Sequence, residues 1–88
     1  FYVTIDADGM DPTIMPAVNA PTPGGLNWLQ IREFVHGIVK KGRVLGFDLV
    51  EISPSFEKGN TTLVHAERLI CNFIGAMVRA GYYDSKKT

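Results

Sequence analysis

Two short apolar runs, Phe1 to Ile5 and Val44 to Val50, each lead straight into carboxylates, and a helical pattern lies between them. That order constrains the fold more than any other feature. The first run is aromatic and β-branched without polar alternation, the pattern of a strand buried on both faces in a parallel sheet. Asn27 can cap the intervening helix and Gln30 completes a capping box, with Trp28, Ile31, Phe34, Val35, Ile38 and Val39 following at helical spacing. Lys40, Lys41 and Gly42 close it. Cations there suit the negative end of the helix dipole, and glycine is expected to supply a left-handed cap. The second run, interrupted by Asp48, ends at Glu51 and is broken by Ile52-Ser53-Pro54. Thr61 or Thr62 is expected to cap a last helix with a core stripe of Leu63, Ala66, Leu69, Ile70, Phe73, Ile74 and Met77, stopped by Gly81. The tail from Tyr82 to Thr88 is polar and expected to fray. The pattern therefore predicts an α/β protein, a βαβα unit whose two strands are parallel and joined by a right-handed crossover.

Between the first run and the first helix, Gly9 to Gly25 holds four of the five prolines and closes on Pro23-Gly24-Gly25, so neither helix nor ladder persists there. Loops longer than about 12 to 15 residues are uncommon in compact domains unless they form a lid or a binding site. Function is expected in this one.

In parallel α/β sheets, ligands bind beyond the carboxyl ends of the strands, where loops and helix N-termini converge. Asp6 and Asp8 leave the first strand at that edge, and the two-residue period of a strand would point both to one side with Ala7 facing away. Such a pair offers hard oxygen ligands to one or two divalent cations. Glu51 reaches the same edge from the second strand and can pair with a planar guanidinium. Another reading fits equally well. Asp-x-Asp-Gly is also a common strand-to-turn exit with aspartates bonding nearby amides, and an acid before Ser-Pro can serve only to position a loop. Spacing leaves both readings open.

Nine basic residues balance nine acidic ones, which removes any electrostatic draw toward nucleic acid or an anionic membrane. No apolar run approaches the roughly 18 residues of a membrane span, and the start at Phe1 lacks the charged segment of a signal peptide. A cytoplasmic location is expected, and the abrupt apolar start fits a piece of a longer protein. Cys71, the single cysteine, lies among Leu69, Ile70 and Phe73 and is expected to be a buried, reduced thiol.

Longer strings carry more information. Thr4-Ile5-Asp6-Ala7-Asp8-Gly9-Met10-Asp11-Pro12, then Pro16-Ala17 and Pro21-x-Pro23-Gly24-Gly25-Leu26, resembles the last of the three signatures of the ureohydrolase family, which includes arginases and agmatinases. Gly46-Phe47-Asp48-Leu49-Val50-Glu51-Ile52-Ser53-Pro54 resembles the closing strand of that family, and Asn60-Thr61-Thr62 with Ala66-Glu67-Arg68-Leu69 resembles its last helix. The resemblance covers essentially the whole chain in the correct order. It implies that residues 1–88 are the C-terminal part of a single domain with a three-layer αβα arginase-like fold. It also implies a site with two Mn2+ ions, in which Asp6 bridges both metals, Asp8 binds one, and Glu51 pairs with the substrate guanidinium. The implied reaction is hydrolysis of a small guanidino compound to urea and an amine, in a homo-oligomer that is a trimer or hexamer. Asp48 matches a family position near the metals, with a supporting role.

The family brings four further ligands, two histidines and two aspartates, from upstream segments that have no counterpart here, so the 88 residues alone are expected to be inactive. His36 is expected to be a surface or packing residue, while His65 lies nearer the active edge. Where arginases and agmatinases carry threonine-glycine-threonine-proline in the loop facing the substrate, this chain has Val18-Asn19-Ala20-Pro21. Two hydroxyls are lost, which argues against arginine and agmatine as defaults, leaves guanidino acids, guanidinobutyrate and guanidine open, and makes Asn19 a candidate substrate contact. Two alternatives stand beside the enzyme: a non-catalytic βαβα scaffold or oligomer-interface module, and a standalone cation-binding domain using Asp6, Asp8 and Glu51.

Overall fold

A computed structural model describes residues 1–84. Strand β1 (Tyr2–Asp6) runs into a 3-10 turn over Ala7–Gly9, and a long loop leads to helix α1 (Trp28–Lys41). Strand β2 (Gly46–Val50), a short 3-10 turn over Pro54–Phe56 and helix α2 (Thr61–Arg79) complete the βαβα order. The strands pair in parallel, Tyr2 opposite Gly46 through Asp6 opposite Val50. Glu51 therefore leaves the sheet directly after the partner of Asp6.

Burial departs from expectation in β1. Val3 and Ile5 are buried but Tyr2, Thr4 and Asp6 are exposed, because both helices cover one face of the sheet and no described residue covers the other. Phe47 on the covered face stacks on Phe73 of α2, with ring centroids 4.1 Å apart and planes 9° from parallel. Stacking of this kind adds about 0.5–1.5 kcal/mol beyond the area buried. The same one-sidedness corrects the stripe of α2. Thr62, Ala66, Leu69, Phe73, Ala76 and Met77 are buried, whereas Leu63, Ile70 and Ile74 are exposed. The apolar surface of α2 is wider than the area that α1 and the sheet cover. Cys71 is exposed rather than buried, since it lies on the outward side of the same helix.

The helix ends show what local chemistry does. At α1 the capping box forms as expected, Gln30 N–H donating to Asn27 Oδ1 at 2.9 Å and Asn27 N–H to Gln30 Oε1 at 3.0 Å. Gly42, however, is extended at φ −136° and not left-handed. Its value is steric, because a Cβ there would overlap the Phe1 ring. Gly81 does stop α2. It adopts φ 86°, with Tyr82 N–H donating to Met77 O at 3.0 Å and Gly81 N–H to Val78 O at 3.1 Å, the two bonds of a Schellman motif. Tyr82, expected to fray, instead stitches three segments, its hydroxyl meeting Val39 O, Gly42 O and Val44 N–H. Residues 85–88 of the expected frayed tail lie outside the described residues. The strand expected from Val44 begins at Gly46, and neither Thr61 nor Thr62 caps α2. Asn60 holds the cap position without a side-chain bond, while Glu57 Oε1 accepts from Thr62 N–H at 2.8 Å.

The proline-rich loop has no regular element beyond a single bridge between Met10 and Leu26, yet it supplies core. Met10, Ile14, Met15, Ala17 and Val18 are all buried, which makes Met15 a packing residue and not an exposed wall. Asp11 organises the loop: its carboxylate accepts from Thr13 N–H and Gly24 N–H, each at 2.9 Å, and its own N–H donates to Leu26 O at 2.8 Å. Thr22-Pro23-Gly24-Gly25 is a tight turn with Gly24 at φ 78° and Gly25 N–H donating to Thr22 O at 2.9 Å. Gly25 then passes so close to the start of the loop that a Cβ would stand 2.6 Å from Gly9 O.

Because that oxygen belongs to the backbone, Gly25→Ala should destabilise the protein by about 1–3 kcal/mol. Gly75→Ala, in open space on α2, should stabilise it by about 0.5–1 kcal/mol. Chemical denaturation measures both, and a neutral Gly25→Ala would contradict the close approach.

The bonds from Thr13 and then Gly24 hold the Asp11 carboxyl below its ordinary value. A lowered folded pKa means that the ionised side chain contributes its full stabilisation above the ordinary carboxylate range, about pH 4, and loses it as pH falls through the depressed value. The Thr13 and Gly24 amide resonances should therefore titrate with a midpoint below about pH 4. In Asp11→Ala that titration should vanish.

Candidate active site

The strand that carries Asp6 ends at that residue, and Asp8 lies in the following 3-10 turn. The two-residue period does not extend to Asp8, so the expected geometry is corrected. A local bond replaces it. Asp6 Oδ1 accepts from Asp8 N–H at 2.8 Å and caps the turn, while Ala7 is fully buried beneath it. This is the strand-exit arrangement that spacing allowed, and it leaves oxygens free for a second task. Asp8 Oδ1 is enclosed and without a hydrogen-bond partner. An enclosed carboxylate oxygen lacking a donor carries a desolvation cost that a bound cation would remove.

Glu51 is exposed at the end of β2 and holds φ 70°, the one non-glycine residue with positive φ among the described residues. For such a residue that conformation costs of order 1–3 kcal/mol, and it points to a side chain whose direction matters more than local comfort. Asn19 is likewise exposed, but Val18 beside it is only 2% exposed. Of the two positions that lost a hydroxyl, Val18 acts through packing alone. The Asn19 loop and the Glu51 exit are tied together, Ser53 N–H donating to Ala17 O at 2.7 Å.

Asp48 is half-buried and stands opposite Thr4, on the sheet face that Asp6 shares. Tyr2 OH donates to Asp48 Oδ2 at 3.1 Å, and Asp48 Oδ1 is enclosed without a partner. That bond, then desolvation, then the carboxylate's charge push the Tyr2 hydroxyl above its ordinary pKa.

The histidines do different work. His36 Nε2 meets Asn72 Oδ1 at 2.9 Å, and since the Asn72 amide nitrogen donates to Arg68 O, the imidazole must be the donor to Oδ1. It joins α1 to α2, the packing role expected. His65 Nδ1–H donates to Thr61 O at 2.9 Å, and its ring lies edge-on to Trp28 with centroids 5.8 Å apart. Neither bond reaches a carboxylate.

Among the described residues, no group of three or more histidine, cysteine, aspartate or glutamate side chains comes together to hold a metal. Asp6 and Asp8 fit the hard oxygen half of a manganese site and need further donors to complete one. No helix among the described residues is long and apolar enough to cross a membrane. Sequence reasoning missed Asp11, Gly25 and Glu57 as supports of the site. Only the Asp-Pro-Thr turn signal at Asp11 was there to be read.

A search of solved structures returns the agmatine ureohydrolase of Thermoplasma volcanium, with a TM-score of 0.78 and 36% identity, covering 96% of this chain and 27% of that one. The chain is 36% identical over 78 residues to an agmatinase of Pyrococcus horikoshii, covering 89% of this chain and 27% of that protein. It is 39% identical over 69 residues to a guanidinobutyrase of Pseudomonas aeruginosa, covering 77% of this chain and 21% of that protein. The chain thus spans only about a fifth to a quarter of the length of the curated relatives it matches. The profile of the arginase family matches residues 1–75, and with the parallel pair, its acids and its loop arranged as described, the chain belongs to the arginase family.

Proposed function

We propose that this chain is the C-terminal part of a manganese-dependent ureohydrolase domain that hydrolyses a guanidino compound other than arginine or agmatine. The observation that carries the reading is the strand register that brings Asp6 and Glu51 to one sheet edge, with Asp8 in the turn after Asp6 and its Oδ1 enclosed without a hydrogen-bond partner. Asp6 and Asp8 would hold manganese together with donors from the rest of the domain. Two cations, when bound, supply a water acidic enough to act near neutral pH and offset negative charge in the transition state.

The chain's own groups orient the substrate. Glu51 accepts from a planar guanidinium in the paired geometry that such a fork allows, which fixes the carbon that water attacks. Water oxygen bonds to that carbon, the bond to the alkyl nitrogen breaks, both water protons pass to that nitrogen, and the products are urea and the protonated amine. Asn19 reads the substrate beyond the guanidinium. The agmatinase and guanidinobutyrase relatives differ in what their names say they act on, so the Val18-Asn19-Ala20 segment is the place to look for this protein's choice.

The protein carrying this segment within a complete domain should release urea from a guanidino acid faster than from arginine or agmatine. A chelator should abolish the activity and Mn2+ restore it. No urea from any guanidino compound, with manganese bound, would sink the reading. Asp6→Ala should lose manganese, read by electron paramagnetic resonance. Glu51→Ala should keep it and lower kcat/KM about 10- to 100-fold, since a hydrogen bond to a charged group contributes about 1.5–3 kcal/mol. Full turnover after Glu51→Ala would exclude guanidinium pairing.

A further inference from the structure

Thr62 is fully buried and is the one buried polar side chain among the described residues. It lies in the first turn of α2, where its backbone N–H is already engaged by Glu57 Oε1 at 2.8 Å. Its hydroxyl looks elsewhere, accepting from Ala17 N–H at 2.9 Å across 45 positions of sequence. Ala17 is itself fully buried, and its carbonyl accepts from Ser53 N–H at 2.7 Å. Both backbone polar groups of Ala17 are thus spent on tertiary bonds, one to α2 and one to the exit of β2. Val18 N–H folds back onto Pro16 O at 2.9 Å, closing a turn centred on Ala17. After that turn the chain emerges, with Val18 buried and Asn19 and Ala20 exposed.

From this geometry we infer that Thr62 is a positioning residue, whose hydroxyl fixes the Val18–Ala20 segment against the Glu51 exit and thereby sets substrate selection by Asn19. The inference rests on the proposed function for the meaning of Asn19 and Glu51; the tether itself does not. A buried hydroxyl satisfying a buried amide is costly to replace, because the amide has nowhere else to go. Nothing in the packing of α2 requires a hydroxyl there. A valine of nearly the same shape would keep the apolar packing and the helix, and would remove the tether at the stability cost of an unpaired Ala17 amide.

The test uses the complete manganese-loaded enzyme and its best guanidino substrate, measured for the wild type, Thr62→Val, Thr62→Ser, Asn19→Ala and the double variant. Thr62→Val should raise KM at least tenfold, with kcat within about twofold and manganese content unchanged. Thr62→Ser, which keeps the acceptor, should restore the wild-type KM. In the Asn19→Ala background, Thr62→Val should add little further to KM, since the two act through one contact. An unchanged KM in Thr62→Val overturns the inference, as does a fully additive effect in the double variant. Equal losses of kcat and manganese also overturn it, because they would mark a structural role only. Should Thr62→Val fail to fold, Thr62→Cys, which keeps the volume with a weak sulfur acceptor, faces the same criteria. A wild type that releases no urea overturns the proposed function itself, an outcome distinct from a working enzyme indifferent to Thr62.

Discussion

Parallel pairing of β1 with β2 is the constraint from which the rest follows. Because the strands run the same way, their carboxyl ends open on one edge, and the register of Asp6 opposite Val50 delivers Glu51 there one residue later. An antiparallel pair would have sent the acids to opposite ends. The parallel choice in turn demands a crossover, and α1 supplies it, packed through Ile31, Val35 and Val39 onto the covered face of the sheet. Charge that is costly to bury is thus gathered where loops can reach it, and the apolar side chains are left to the opposite face.

Most of that frame could be read from residue order. The capping box of Asn27 and Gln30, the stop at Gly81 and the two strands are local decisions, made by side chains within a few positions of one another. What escaped reading depended on distant partners. Gly42 follows the ordinary sequence pattern of a left-handed cap, yet it is extended, and an aromatic ring from the start of the chain occupies the space a Cβ would need. Tyr82 belongs to a polar tail by composition and becomes a tertiary tie through one hydroxyl. Leu63, Ile70 and Ile74 have the right spacing for a core, and spacing does not say how wide the covering surface is. The acids divide in the same way. Their edge follows from strand order, whereas the turn that carries Asp8 off the strand follows from the bond between Asp8 N–H and Asp6 Oδ1.

Two carboxylate oxygens, on Asp8 and Asp48, are enclosed without donors, and Asp48 stands on the uncovered face of the sheet. Satisfied interiors seldom tolerate such groups.

Under the proposed function, metal binding and substrate choice would rest on different physics. Asp6 and Glu51 are placed by strand register, Asp8 by the bond from its N–H to Asp6 Oδ1, and Glu51 also holds a strained backbone. Asn19 hangs from a loop whose hydrogen bonds to α2 and to the exit of β2, among the described residues, pass through Ala17. Among the described residues no hydrogen bond from Asn19 or Ala20 reaches Asp6 or Asp8, whereas Val18 belongs to the shared core. On the proposed reading, substrate choice is carried by a loop segment tethered at Ala17, and the acids by an edge that the paired strands make.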